Sequence, residues 1–176
     1  RKIAVLTMDL LGLPPNVKPA LISKLDDPGW HTSNIMLLPS HAHTSLEMFA
    51  LNDKNIFNMP AIGVFQTELL DFVLDRLAEA ISRAEKGLQP VRVGTGQVAI
   101  EGANRNRREE ATVEDLLTLT RLDYEDGRPM ACLVQWTAHP TIMGDEDMWV
   151  SAGWPGYLQR EMEAWIGQDV LVMYYN

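Results

Sequence analysis

Two histidines separated by one residue, His41 and His43 in LLPSHAHTSLEM, and a third, His139 in VQWTAHPTIM, are the side chains best suited to hold a metal ion or move a proton. Neutral imidazole is a common zinc ligand, and catalytic zinc usually takes about three protein ligands and leaves one position for water. In extended backbone, side chains two residues apart share a face, so His41 and His43 are expected to aim into one cavity. His139 also follows an apolar run, where Pro140 turns the chain, and strand ends of one sheet tend to converge on a single crevice. A plainer reading, in which each histidine is a loop residue satisfied by a hydrogen bond, stands beside the metal reading at this stage. His31, in PGWHTS, has no strand-end setting and reads as a loop residue. The acidic run Asp145 to Asp147 lacks the alternating oxygen ligands and the glycine of a calcium loop, and reads as a solvated turn.

The elements that must position these histidines follow from the apolar patterning. Lys2 to Met8 predicts a buried strand, Leu10 to Pro15 a loop, and Ile35 to Leu38 a second short strand closed by Pro39. Leu70, Val73, Leu74, Leu77, Ile81 and Ala84 recur at helical spacing, which predicts a helix over 67–86 with Thr67 as its N-cap and Gly87 beyond its end. Val91 to Ile100 predicts a glycine-interrupted strand. Leu116 to Tyr124 and Met130 to Thr137 flank a hairpin turn at Asp126 and Gly127, and the second of these strands runs straight into His139. A short helix over 155–166 and a strand over 170–175 complete the pattern. The order predicts an α/β or α+β fold, a layered mixed β-sheet covered by helices.

Composition narrows the function classes. The chain has 176 residues, 46% of them hydrophobic and 22% charged, which suits one globular domain. A net charge of -9 and a pI near 4.8 argue against nucleic acid, whose binding needs clustered cations along an extended face. The one basic cluster, NRNRRE from Asn104 to Glu109, reads on charge alone as a solvated loop. The single cysteine, Cys132, lies in an apolar run and reads as a buried, inert thiol. No apolar stretch reaches the roughly 18 residues that a membrane-spanning helix needs.

Taken in order along the chain, four stretches resemble the neutral and alkaline non-lysosomal ceramidases in their N-terminal catalytic domain. SHAHTS is similar to the family's His-Thr-His-Ser motif, and GANRNRRE to its Asn-Ile-Asn-Arg segment. VQWTAHPTIM is similar to its Trp-x-Ala-x-His-Pro-Thr-x-Met block, and VSAGWPGYLQREME to its Ser-x-Asp-x-x-Gly-Tyr helix start. Ala42 stands where the family has threonine, and Gly153 where aspartate is usual.

The resemblance runs from about Ile3 to Asn176, so 1–176 is expected to be a single domain, an N-terminal fragment of a larger catalytic domain. It implies that His41 and His139 are zinc ligands, that His43 is a catalytic residue near the bound water or substrate, and that Arg107 binds substrate. It also implies hydrolysis of an N-acyl linkage in ceramide or a related lipid. The family's remaining zinc ligands, a glutamate and a tyrosine, have no counterpart here. An alternative is a non-catalytic ceramidase-like domain that binds a lipid or a protein partner, and another is an amidase or esterase of the same chemistry with a polar, non-lipid substrate. A secreted or extracytoplasmic setting is compatible with the family, while the residues themselves leave compartment and oligomeric state open.

Overall fold

The computed structural model describes residues 2–144, 146–167 and 169–176; Asp145, the first residue of the expected acidic turn, lies outside them. Two parallel strand pairs, each built around a crossover helix, carry the histidine loops. Strands β1 (Ala4–Met8) and β2 (Ile35–Pro39) pair in parallel, and helix α1 (Val17–Lys24) lies between them in sequence. A short 3-10 turn follows at Met48–Leu51, and then the long helix α2 (Thr67–Lys86).

A second sheet has the order β3-β4-β5-β6. In it β3 (Val91–Ala99), β4 (Leu116–Tyr124) and β5 (Pro129–Gln135) form an antiparallel meander, and β6 (Leu171–Tyr175) adds in parallel to β5 after helix α3 (Gly153–Ile166). Parallel neighbours cannot be joined by a tight turn, which is why α1 and α3 sit where they do.

The anticipated helix 67–86 forms with those bounds, but Thr67 is its first helical residue. Gln66 occupies the cap position without a side-chain hydrogen bond. Val73, Leu74, Leu77 and Ile81 are its buried stripe, and Glu68 near the start with Arg83 and Lys86 near the end suits the helix dipole. Helix α1 escapes sequence reading because Pro19 looks like a breaker. Proline is tolerated in a first turn, where its missing N–H costs no intrahelical bond. Helix α3 begins two residues earlier than anticipated, at Gly153, whose φ of 62° suits a residue without Cβ.

The apolar residues gather in two clusters. One joins β1, β2, α1 and α2 through Leu6, Val17, Leu21, Ile35, Leu74 and Ile81. The other joins β5, β6 and α3 through Cys132, Val134, Val172 and Tyr174, with Trp136, Trp154 and Leu158 against them. Full burial of one such aliphatic side chain is worth roughly 1.5–3 kcal/mol, so each cluster anchors its own strand pair. Cys132 is buried, as anticipated, and burial pushes its thiol pKa up. Among the described residues, no helix is long and apolar enough to cross a membrane.

Candidate functional site

Four strand ends meet at the site. The loop after β1 supplies the Leu11 carbonyl, the loop after β2 supplies His41 and His43, the segment after β5 supplies His139, and Asn176 follows β6. Open α/β sheets tend to bind ligands beyond the carboxyl ends of their parallel strands, and the three histidines lie at such ends.

The His-x-His segment does not stay extended. The Ser40 N–H still bonds the Met8 carbonyl at 2.9 Å as the last rung of the parallel pairing, and the chain turns only after it, at His41, which takes a left-handed conformation with φ 63°. Its ring still meets that of His43, at a centroid separation of 4.9 Å and an interplanar angle of 88°. The anticipated pairing therefore arises from a turn and not from the alternation of a strand. Ala42 between them is fully buried, so a threonine there would have to find a partner for its hydroxyl.

His139 completes the cluster. Its ring stacks on His41 at 5.0 Å and meets His43 edge-on at 4.8 Å. One ligand atom from each of the three side chains lies within 4.8 Å of the others, a spacing that could hold a metal ion.

The three rings differ in how free their nitrogens are to bind a metal. His41 Nδ1 lies 2.8 Å from the Leu11 carbonyl oxygen, which can only accept; the ring therefore donates from Nδ1 and leaves the Nε2 lone pair free. His43 Nε2 and His139 Nε2 are 2.8 Å apart, a hydrogen bond in which one nitrogen carries the proton. Two nitrogens on one tetrahedral zinc, each about 2.0–2.1 Å from it, would stand roughly 3.3 Å apart. The shorter separation is that of a metal-free hydrogen bond, which His139 would give up to bind zinc through that nitrogen.

Dehydration and nearby positive charge disfavour protonation of His43 and His139. Loss of water around the ring, followed by the positive charge of His41 and of Arg107, holds His43 below the ordinary histidine pKa, with Glu47 opposing. His139 is lowered by dehydration first, then by His43, His41 and Arg107.

Arg107 thus acts on both rings, and it lines a cavity of about 650 Å³ whose wall includes His139, Trp136, Ile142 and Trp154. Asparagines hold the loop that carries it: Asn104 Nδ2 donates to the Glu114 carbonyl and Asn106 Nδ2 to the Thr112 carbonyl, each at 3.1 Å. The basic cluster is solvated, as its charge suggests, and it also faces this cavity. His31 lies apart from the three histidines and is exposed. Leu11, Asn176 and the tryptophans at the cavity carry no spacing signal of their own, because each reaches the site through a different strand end.

No family model matches the chain. Neutral ceramidase A of Dictyostelium discoideum is 25% identical over 138 residues, which span 70% of this chain and 19% of that protein. Neutral ceramidase of Pseudomonas aeruginosa is 31% identical over 95 residues, or 54% of this chain and 13% of that protein. The crystal structure of neutral ceramidase from Pseudomonas aeruginosa covers 97% of this chain at a TM-score of 0.84 and 19% identity, and a ceramidase complexed with C2 covers the same share at 0.86. In each structure the match takes in 29% of the other chain. The chain therefore spans under a third of the length of every one of these proteins. In fold and over part of its sequence, the chain is similar to neutral ceramidases and is a divergent, partial ceramidase-like domain.

Proposed function

We propose that this domain contributes the zinc-binding histidines and one wall of the substrate cavity to a hydrolase that cleaves the N-acyl linkage of ceramide or a related lipid. The observation that carries the reading is the convergence of His41, His43 and His139 within 4.8 Å, with His139 lining the cavity that Arg107 also lines. The likeness to neutral ceramidases supports the substrate class.

In this reading His41 and His139 hold the metal. When bound, zinc supplies a Lewis acid that polarises a carbonyl and acidifies water.

The remaining work belongs to the chain's own groups. The Leu11 carbonyl holds the His41 ring by its Nδ1–H, which fixes both tautomer and orientation. His43 is neutral near pH 7 because its pKa is lowered, so Nε2 can accept a proton from the attacking water and return it to the leaving nitrogen. Amide cleavage needs both transfers: water oxygen joins the carbonyl carbon, the C–N bond breaks, and the amine leaves with a proton. Arg107 offers a planar set of donors to a hydroxyl or headgroup of the substrate. Trp136, Trp154 and Ile142 give the same cavity apolar surface for hydrocarbon.

The test is metal analysis of the natural full-length protein, together with hydrolysis of a fluorescent N-acylsphingosine and of a polar N-acyl amino acid. One equivalent of zinc, lost in His41→Asn and His139→Asn and kept in His43→Gln with little turnover, is the expected result. Undiminished zinc in the first two variants would remove the assignment. Zinc binding without turnover of either compound would favour a lipid-binding domain, and turnover of the polar compound alone would replace the lipid substrate.

A further inference from the structure

We propose that Asn176 is a positioning residue that sets the spacing between the His41 and His139 loops, an inference that rests on the metal reading above. The β5–β6 ladder ends at the pair Gln135 and Tyr175, so the segment from Trp136 to His139 continues without a strand partner. Its main chain is tied instead by two side groups, one in β6 and one just after it. The Tyr174 hydroxyl donates to the Trp136 carbonyl at 2.6 Å, and Asn176 Nδ2 donates to the Ala138 carbonyl at 3.2 Å. Asn176 also donates its backbone N–H to the Pro39 carbonyl at 3.4 Å. A single residue therefore holds the chain one position before His139 and two positions before His41.

The other ties in the region do not make this link. The Leu11 contact orients the His41 ring but belongs to the loop after β1. Thr44 and Ser151 exchange two hydrogen bonds, which fasten the far side of the His43 loop to the approach of α3. Among the described residues, only Asn176 and the His43–His139 contact itself join residues 136–139 to residues 39–43 by hydrogen bonds. A two-histidine site needs that distance held from outside the rings, because the rings must be free to face a ligand. Loss of a group that orients metal ligands typically lowers metal affinity about 10- to 100-fold.

The experiment compares wild type with N176D and N176A, using N16A as the control. Asp keeps the size of Asn but turns the donor into an acceptor facing the Ala138 carbonyl. N176A drops the donor without adding charge, and it decides the question if N176D fails to fold. N16A removes a part-buried side-chain bond of the same kind, to the Leu51 carbonyl at 2.9 Å, away from the histidines.

The first readout, on metal-free protein with labelled histidine, is the through-space NMR contact between the His41 and His139 rings. The second is zinc affinity by competition with a chelator. The expected result is a weakened ring contact and a zinc Kd raised about 10- to 100-fold in the Asn176 variants, with both unchanged in N16A despite a lower unfolding midpoint. Wild-type ring contact and zinc affinity in folded N176A would overturn the proposal, as would equal losses in N16A. Absence of zinc binding in wild type would defeat the metal reading alone, since the ring contact still decides what Asn176 does.

Discussion

His41 adopts a conformation that few residues with a Cβ accept, and substituting it separates backbone strain from loss of the imidazole. His41→Ala and His41→Gly both remove the ring, and with it the hydrogen bond to the Leu11 carbonyl, so that loss cancels between them. Alanine keeps a left-handed residue with a Cβ, at a cost of roughly 1–2 kcal/mol. Glycine relieves that cost and gives back roughly 0.5–1 kcal/mol through the greater freedom of the unfolded chain. The glycine variant is therefore expected to be the more stable by roughly 0.5–1 kcal/mol. At 2–4 °C per kcal/mol for a chain of this size, its midpoint should be higher by roughly 1–4 °C. His41→Asn should fall between the two, because asparagine tolerates this region better than alanine does. Thermal and urea unfolding after chelator treatment measure the difference without a contribution from metal binding. An alanine variant as stable as the glycine one would refute the strain argument, and the turn would then have to relax when the ring is absent.

Two further outcomes follow from the same geometry. His43 and His139 have pKa values lowered in the folded state, so the unfolded chain takes up protons first as pH falls; stability of the metal-free protein should be complete above the ordinary histidine pKa of about 6.5 and decline below it. Urea midpoints between pH 8 and 5 measure this, and replacing both histidines with Gln should flatten the part of the slope that they cause. Gly156 is buried in α3, and a Cβ on it would lie 2.6 Å from the Ala152 Cβ. Gly156→Ala should therefore destabilise by about 1 kcal/mol, the crowding cost of roughly 1–3 kcal/mol exceeding the gain in helix propensity of about 1. Adding Ala152→Gly should restore stability, and a G156A variant more stable than wild type would contradict the close approach.

The sequence by itself determined the elements whose signal is local. The apolar stripe of α2 needs only the 3.6-residue period and the β4–β5 hairpin only two apolar runs around Asp126 and Gly127; both form, although β5 spans Pro129–Gln135 and stops short of the expected Thr137. His41, His43 and His139 were also legible as candidates, because a strand-end histidine is unusual enough to notice in one dimension, and the ordered motifs supplied the ceramidase likeness. Helix α1 was not legible, since Pro19 has opposite meanings at the start and in the middle of a helix.

What only the tertiary structure decided is how residues far apart in sequence share one place. His43 and His139 are 96 positions apart and 2.8 Å from each other, and Asn176 reaches back to Ala138 and Pro39 across a sheet end. The left-handed turn at His41 was equally hidden, because it falls on a residue with a Cβ, where the local sequence gives no signal for a positive φ. Local patterns record which face of an element is apolar. Distances between loops are set by how the buried faces stack and by the hydrogen bonds that unpaired strand ends must find, and those depend on the whole fold at once.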